Sequence, residues 1–281
     1  MRRRLVGLAV AVALLGLLGV VQHGRTGIAA QIQDGAPGDE ISCAGLRAER
    51  PLLVLVMGQS NAGNHGGIDP ATAAVKPIRV MHDGRCYLSQ APLPGATGAG
   101  ASLWPLLEQE LAARAGPAWL QRPRVYALIA VESTRIAEWS GDGTPTNKVW
   151  RSQLAKLRAD GWQPELVLWQ QGEADAKAGT SAASYVDAFL KFRGALRDGG
   201  LGTAPWVAAR SGYCDGADTA AMHQGWQTLG AQPVGFLPGP DTDSLQGPDR
   251  LDPCHFSADG LRHAARLWAD ALLALPLTVA Q

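Results

Sequence analysis

Short apolar runs alternate with amphipathic segments along most of the chain. The run at 52–57 is continuous, as in a strand buried on both faces of a parallel sheet. Further short β-rich runs predict strands at 78–81, 125–130, 166–169, 206–208 and 234–237. Helical periodicity predicts helices over 102–115, 147–159, 181–198, 218–229 and 257–275. This alternation predicts one three-layer α/β/α domain on a mostly parallel sheet, which we place at residues 50–281.

The chemistry of such a domain is expected at one edge of its sheet. Ligands of open α/β sheets bind outside the carboxyl ends of the strands, which we call the carboxyl edge. Three segments that follow predicted strands should meet there, at 58–64, 131–139 and 170–175. These three segments are therefore predicted to share one edge of the sheet.

The charge balance excludes one broad class of partner. Lys plus Arg and Asp plus Glu number 25 each, and the sequence pI is about 7. No basic face is implied, so we do not expect nucleic acid as a partner. The nine tryptophans could line a sugar-binding cleft, although core packing explains each of them more readily.

The N-terminus has the pattern of an export signal. Arg2, Arg3 and Arg4 precede an apolar run over 5–21, and Ala30 closes a plausible cleavage site. We predict a signal peptide over 1–30 and a linker or extended start over 31–49. The run is at the short end of what spans a bilayer, so an uncleaved membrane anchor is the alternative. Either outcome predicts a secreted or periplasmic domain, in contact with a membrane only if the segment is kept.

The four cysteines fit an oxidising compartment. Cys43, Cys86, Cys214 and Cys254 have no C-x-x-C spacing, which argues against a metal site or a redox motif. An even number in an exported protein favours two disulfides, for which three pairings are possible.

Two short motifs carry the residue types of nucleophilic catalysis. Ser60, in Gly-Gln-Ser-Asn, follows a buried strand in a turn that would expose its hydroxyl and leave its N–H free. Asp252 precedes His255 by three residues, which lets the acid hold one imidazole nitrogen and leave the other for a serine. Taken separately, each motif has a plain alternative: a serine that caps a helix, and an aspartate that starts a turn beside a surface histidine.

The order of three motifs makes the interpretation specific. GQSN, then WQQGEADA, then DPCH resembles the sialate O-acetylesterase-like carbohydrate esterases of the SGNH hydrolase superfamily, over about residues 51–270. The resemblance implies the three-layer, flavodoxin-like SGNH fold. It also implies that Ser60 is the nucleophile, His255 the base and Asp252 the acid that orients the base.

The same resemblance implies an oxyanion hole. Its donors would be the Ser60 N–H, the Gln171 side chain and a glycine of the loop at 95–100, either Gly98 or Gly100, of which we favour Gly98. We further expect neighbouring side chains of the motifs to contact substrate, namely Gln59, Asn61 and Glu173.

One segment departs from the family pattern. Where the family has Gly-Gly, this chain has Glu132 and Ser133, whose side chains would crowd or polarise the pocket and put the usual substrate in doubt. His65 lies close to the serine in sequence and could contact substrate.

These observations together predict an exported serine esterase that removes O-acetyl groups from carbohydrate through an acetyl-enzyme, without a metal or an organic cofactor. The substrate would be an acetylated glycan or a small acetyl ester. The alternatives are an extracytoplasmic polysaccharide O-acetyltransferase with the same residues, and an inactive carbohydrate-binding module.

The disulfide pairing follows from the predicted site. Cys254 lies between the acid and the base, and Cys214 follows the strand at 206–208, so both should lie at the carboxyl edge. We therefore predict Cys214–Cys254 and, by elimination, Cys43–Cys86.

Overall fold

A computed structural model describes residues 38–116, 122–202, 204–232 and 236–275. Eight strands form one sheet in the order β1-β4-β3-β5-β2-β6-β7-β8. The strands are β1 Gly38–Ile41, β2 Leu52–Gly58, β3 Ile78–His82, β4 Arg85–Ser89, β5 Arg124–Ala130, β6 Leu166–Gln170, β7 Trp206–Arg210 and β8 Phe236–Asp241. β4 pairs antiparallel with β1 and β3, and the other pairings are parallel. The sheet is therefore mostly parallel, as predicted.

The central strand explains why its sequence is apolar without interruption. β2 pairs in parallel with β5 and β6, and all its residues are buried. Leu53, Leu55 and Met57 enter the hydrophobic core on one face of the sheet, whereas the alternate residues enter the core on the other face. A strand covered on both faces has no position for a polar side chain.

Helices cover both faces of the sheet. They are α1 Cys43–Ala48, α2 Pro70–Ala73, α3 Leu103–Arg114, α4 Ile136–Ser140, α5 Pro145–Ala159, α6 Glu173–Lys177, α7 Ala182–Leu196, α8 Ala220–Gly230 and α9 Ala258–Leu273. α4, α5, α7 and α8 pack into the core on one face, and α3 and α9 pack into the core on the other. Eight of the nine tryptophans lie in the described residues, and all eight are buried in these cores. Their role is core packing.

The beginning of the domain differs from the sequence prediction. Within the predicted linker at 31–49, residues 38–41 form β1 and residues 43–48 form α1, so the folded part begins before residue 50. The Cys43–Cys86 disulfide joins α1 to β4. β1 was not predicted because it is a polar, largely exposed edge strand, which lacks an apolar pattern.

Two more strands show the limits of the apolar pattern. β4 was not predicted, because its five residues alternate only imperfectly between exposed and buried positions. β8 continues to Asp241 through Pro238 and Pro240, beyond the predicted end at 237. It is an edge strand, where a missing backbone donor is tolerated.

Most of the predictions for the N-terminus concern residues that the structure does not describe. The signal peptide or anchor at 1–30, and the first part of the linker, fall outside the described residues. Within the residues described here, no helix has both the length and the hydropathy needed to cross a membrane.

Candidate active site

The turn over residues 58–63, here called the serine turn, is fixed by the centre of the sheet. β2 ends at Gly58, where a side chain would meet the Gln170 carbonyl oxygen at 2.0 Å in a backbone conformation of φ +148°. The N–H of Gln59 donates to the same carbonyl at 3.1 Å, and the Gly63 N–H donates to the Ser60 carbonyl at 2.9 Å. Within the described residues, the Ser60 N–H donates no hydrogen bond, so it is available to a ligand.

The loop over residues 250–256, here called the histidine loop, brings the predicted acid and base together. His255 Nδ1 lies 2.7 Å from Asp252 Oδ2, and Asp252 Oδ1 accepts from the backbone N–H groups of Cys254 and His255 at 2.8 and 2.7 Å. Partial burial opposes ionisation of Asp252, but the hydrogen bonds from the His255 ring and these N–H groups outweigh it and lower the pKa of the carboxyl. A charged Asp252 holds the proton on Nδ1 and leaves Nε2 as an acceptor.

Ser60 and His255 line the same cleft, which has a volume of about 440 Å³. The other residues that line it are Gln59, Ser133, Arg135, Ala174, Lys177, Ala178, Cys214 and Cys254. No hydrogen bond joins the Ser60 hydroxyl to His255 among the residues described. The cleft therefore presents a serine hydroxyl and an acid-paired imidazole to the same space.

The two glycines considered for the oxyanion hole differ in what their amides do. The Gly100 N–H donates to the Asn64 carbonyl at 2.7 Å, whereas the Gly98 N–H makes no hydrogen bond in the part of the chain that the structure describes. Gly98 has φ +93°, and a side chain there would meet the Asn64 carbonyl oxygen at 2.3 Å. Gly98 is thus the glycine with an unused donor.

Gln171 does not have the environment that the sequence analysis expected. Its side chain is fully buried, its Nε2 donates to the Thr134 carbonyl at 2.9 Å and to Asp175 Oδ2 at 2.6 Å, and its Oε1 accepts from Tyr185 at 2.9 Å. Because these bonds use both amide hydrogens, no donor remains for an oxyanion. Gln171 follows β6, and its side chain lies beneath the cleft. Its hydrogen bonds join α6 to the segment after β5.

Gln59 provides a side-chain amide that does line the cleft. Its Oε1 accepts from the Ala174 N–H at 3.2 Å and lies 3.5 Å from the Gly172 nitrogen. Gln171 Nε2 lies 3.4 Å from the same oxygen. These donors hold the oxygen at the start of α6 and leave the NH₂ group without a hydrogen bond among the described residues. Of the three expected substrate contacts, Gln59 is the one placed to make such a contact.

Asn61 and Glu173 are buried beneath the cleft, contrary to the expectation that they contact substrate. Asn61 Nδ2 donates to Glu173 Oε1 at 2.8 Å and to the Cys254 carbonyl at 3.1 Å, and Ser211 donates to the same Glu173 oxygen at 2.8 Å. Burial raises the pKa of Glu173, although the bonds from Asn61 and Ser211 oppose that shift. Glu173 and Asn61 therefore join the serine turn to the residue before His255.

Arg250 is a residue that sequence reasoning missed. Its guanidinium donates to the carbonyl oxygens of Leu245, Cys254 and Thr242 at 2.7, 2.6 and 2.9 Å. The same group stacks on Phe256 at 4.4 Å and on Tyr213 at 5.0 Å. Because its polar partners are backbone carbonyls, no sequence motif could have identified it.

The structure contains both disulfides in the pairing that the sequence analysis predicts. Cys214 is bonded to Cys254, and Cys43 to Cys86. Cys214 and Cys254 both line the cleft, so their bond ties the loop after β7 to the histidine loop beside His255.

One group of donor atoms in the described residues is close enough together to be tested as a cation site. It consists of His223, Asp241 and Asp243. Asp243 already accepts from the N–H groups of Gly212 and Tyr213 and lies 2.8 Å from His223 Nε2. Because these bonds commit the carboxylate to the loop after β7, we assign the group no metal.

Comparison with known families and structures extends this picture. The model of a family described as carbohydrate esterase, sialic acid-specific acetylesterase matches residues 121–274. No curated protein matches the chain.

Solved structures share the fold at low identity. A protein from Arabidopsis thaliana is 19% identical with a TM-score of 0.63, and the match covers 80% of this chain and 98% of that one. NanS is 15% identical with a TM-score of 0.52, covering 79% and 96%. A carbohydrate acetylesterase from Xanthomonas citri is 19% identical with a TM-score of 0.53, covering 78% of this chain and 55% of that one. The fold is thus the mostly parallel α/β/α fold of the SGNH-type esterases.

Proposed function

The chain belongs to the carbohydrate esterase family of sialic acid-specific acetylesterases, which makes it a carboxylic ester hydrolase, and on that premise we propose that it removes O-acetyl groups from carbohydrate through an acetyl-enzyme on Ser60. The observation that carries this proposal is the cleft in which the Ser60 hydroxyl and the Asp252-paired His255 face the same space.

In the first half of the reaction, His255 Nε2 takes the proton of the Ser60 hydroxyl while Oγ attacks the acetyl carbonyl carbon. The tetrahedral intermediate then collapses, the bond to the sugar oxygen breaks, and His255 returns the proton to that oxygen. In the second half, His255 deprotonates a water molecule that attacks the acetyl-enzyme. Acetate leaves, and the proton passes back to Ser60. Asp252 stays ionised throughout and stabilises the imidazolium that forms twice in the cycle.

We assign the oxyanion hole to the N–H groups of Ser60 and Gly98 and to the Gln59 side-chain amide. The support is that these three donors are unused within the described residues, whereas both amide hydrogens of Gln171 are bonded to Thr134 and Asp175. Donors already oriented by the fold stabilise the developing charge without a cost of reorganisation at the moment of reaction.

We also propose that the protein works outside the cytoplasm. Two disulfides persist where the environment is oxidising, and the first 30 residues have the pattern of an export signal. Cell fractionation followed by N-terminal sequencing of the mature protein tests this; a cytoplasmic protein with its first residues intact would contradict it.

The function is tested by acetate release from p-nitrophenyl acetate and from acetylated glycans. Ser60→Ala should lose several orders of magnitude in turnover, because members of a catalytic unit fail together. Ser152→Ala, on the exposed side of α5, is the matched control and should keep full activity. A Ser60→Ala variant that keeps a tenth of the activity would overturn the assignment. Accumulation of acetylated glycan instead of acetate would identify a transferase.

A further inference from the structure

A second imidazole lies against the ring of His255. The ring centroids of His65 and His255 are 5.1 Å apart, and their planes differ by 21°. The His65 side chain is 15% exposed, so its position is defined by the protein around it. The contact does not involve Ser60 or Asp252, and the reaction described above assigns no role to His65.

The His65 ring is held by the segment that departs from the family pattern. Its Nε2 lies 3.2 Å from the Thr97 hydroxyl and 3.5 Å from Glu132 Oε2. The Thr97 hydroxyl in turn accepts from the Glu132 N–H at 2.9 Å. A side chain at Gly98 would meet the ring at 2.7 Å, so the glycine also leaves the space that the ring occupies. Glu132 thus contacts His65, which in turn packs against His255.

His255 needs such a support, because within the described residues its ring has one hydrogen-bond partner, Asp252. Asp252 holds Nδ1, but one hydrogen bond lets an imidazole tilt about the bonded nitrogen. The histidine loop has no helix or strand to fix the ring, and Asp252 itself is 44% exposed. A flat group packed on one face of His255 limits the tilt that would swing Nε2 away from Ser60.

We propose that His65 is a positioning residue for His255, and that Glu132, where the family has glycine, fixes His65 for this purpose. The inference rests on the proposed role of His255 as the base. A misplacement of about 1 Å in such a unit can cost about a hundredfold in rate.

The charges around His65 fit this role. Burial lowers the pKa of His65, the nearby Glu132 and Asp252 carboxylates oppose the shift, and His255 adds to it. His65 is therefore neutral near pH 7 and presents an uncharged ring to the imidazolium that His255 becomes during the reaction. As the pH falls, a protonated His65 would repel that imidazolium. Protonation of His65 in acid should therefore impair the site.

Three variants test the proposal. His65→Ala should lower kcat on the order of ten- to a hundredfold and leave KM within about twofold, because the ring acts on the base and not on the substrate. His65→Phe, which keeps a flat ring, should recover most of that loss. Glu132→Gln should lower kcat less than His65→Ala does. His263→Ala, which removes another aspartate-paired histidine outside the cleft, should change nothing.

The pH profile separates positioning from a merely structural role. In the natural protein, kcat/KM should fall with acid more steeply than one ionisation allows, whereas His65→Phe should fall as for a single ionisation. Glu132→Gln should move the additional ionisation to lower pH, because it removes a carboxylate that favours the protonated ring. Two results would overturn the inference. One is an equally steep fall of kcat/KM with acid in the natural protein and in His65→Phe, and the other is a His65→Ala variant whose kcat stays within twofold of that of the natural protein. A fully active Ser60→Ala would instead overturn the proposed function.

Discussion

The serine turn and the histidine loop meet in one cleft, yet different forces hold them. The serine turn follows a strand in which every residue is buried, and backbone hydrogen bonds to the neighbouring strand fix it. The histidine loop lies outside the regular structure, and its residues 251–253 are exposed. Arg250, Asn61 and a disulfide hold it in place of a sheet.

This difference predicts which substitutions reduce activity without reducing the stability of the fold. Gly58 in the serine turn lies against the neighbouring strand at the centre of the sheet, so a side chain added there should cost activity and folding together. A change in the histidine loop removes one of a few side-chain contacts from an exposed segment. It should reduce catalysis while the folded domain remains. The following predictions test that contrast, from the largest expected effect to the smallest.

The largest effect is expected from His255→Ala. Turnover should fall by several orders of magnitude, because the variant has no base for Ser60. The melting temperature should stay close to that of the natural protein, since the side chain is partly exposed and makes few contacts. Steady-state kinetics and thermal unfolding on the same preparation measure both. Unfolding at a much lower temperature would place His255 in the structural framework instead.

The two glutamines give the next contrast. Gln59→Ala should lower kcat about 10²–10³-fold with a small change in stability, because it removes a donor to the developing charge. Gln171→Ala should destabilise the fold instead, since it removes the buried hydrogen bonds to Asp175, Tyr185 and the Thr134 carbonyl, at about 0.5–1.5 kcal/mol each. Kinetics and denaturant unfolding of both variants decide between them. The reverse pattern would return Gln171 to the oxyanion hole.

The disulfides form a matched pair for the same contrast. Their sequence separations are 43 and 40 residues, so the chain-entropy account predicts nearly equal stabilisation, typically about 2–4 kcal/mol each. Serine replacement of Cys214 and Cys254 should lower kcat well before the domain unfolds. The same replacement of Cys43 and Cys86 should lower stability and leave kcat unchanged. Equal loss of kcat in both double variants would show that the location of the bond is irrelevant.

The smallest effect is expected from Glu173→Gln, and it depends on pH. Burial raises the pKa of Glu173 in the folded state, so ionisation of the carboxyl favours unfolding as the pH rises above its unfolded value. A glutamine keeps an acceptor for Asn61 and Ser211 but carries no charge. The variant should therefore gain stability relative to the natural protein between mildly acidic and neutral pH, and the gain should vanish in acid. Thermal unfolding of both proteins across that pH range measures the difference. A variant that became less stable than the natural protein as the pH rose would contradict the account.

The sequence predicted the fold well where burial is complete. β2, β5 and β6 are continuous apolar runs because both faces are covered, and their ends in the structure lie within a residue of the prediction. β1 and β4 escaped prediction because one is exposed and the other alternates irregularly. Their places in the sheet depend on pairing and on the Cys43–Cys86 bond, which a local pattern does not encode.

The candidate site was predictable to the level of the motifs but not of the side-chain directions. Ser60, Asp252 and His255 carry their chemistry in residue type and spacing, and the structure places all three at the cleft or beside it. Asn61, Gln171 and Glu173 lie in the same motifs, yet their side chains are turned beneath the cleft into buried hydrogen bonds. A motif identifies a segment, whereas the direction of each side chain depends on contacts with residues more than 100 positions away, as for Asn61 and Glu173.

The central claim is that Ser60 carries the acetyl group during the reaction. Rapid quenching of the protein mixed with p-nitrophenyl acetate, followed by peptide mass spectrometry, measures this directly. We expect one acetyl group on the peptide that contains Ser60, formed at the rate of the first turnover and absent from Ser60→Ala. Acetylation of another residue at that rate, or turnover with no acetylated peptide and no burst of p-nitrophenol, would contradict the account.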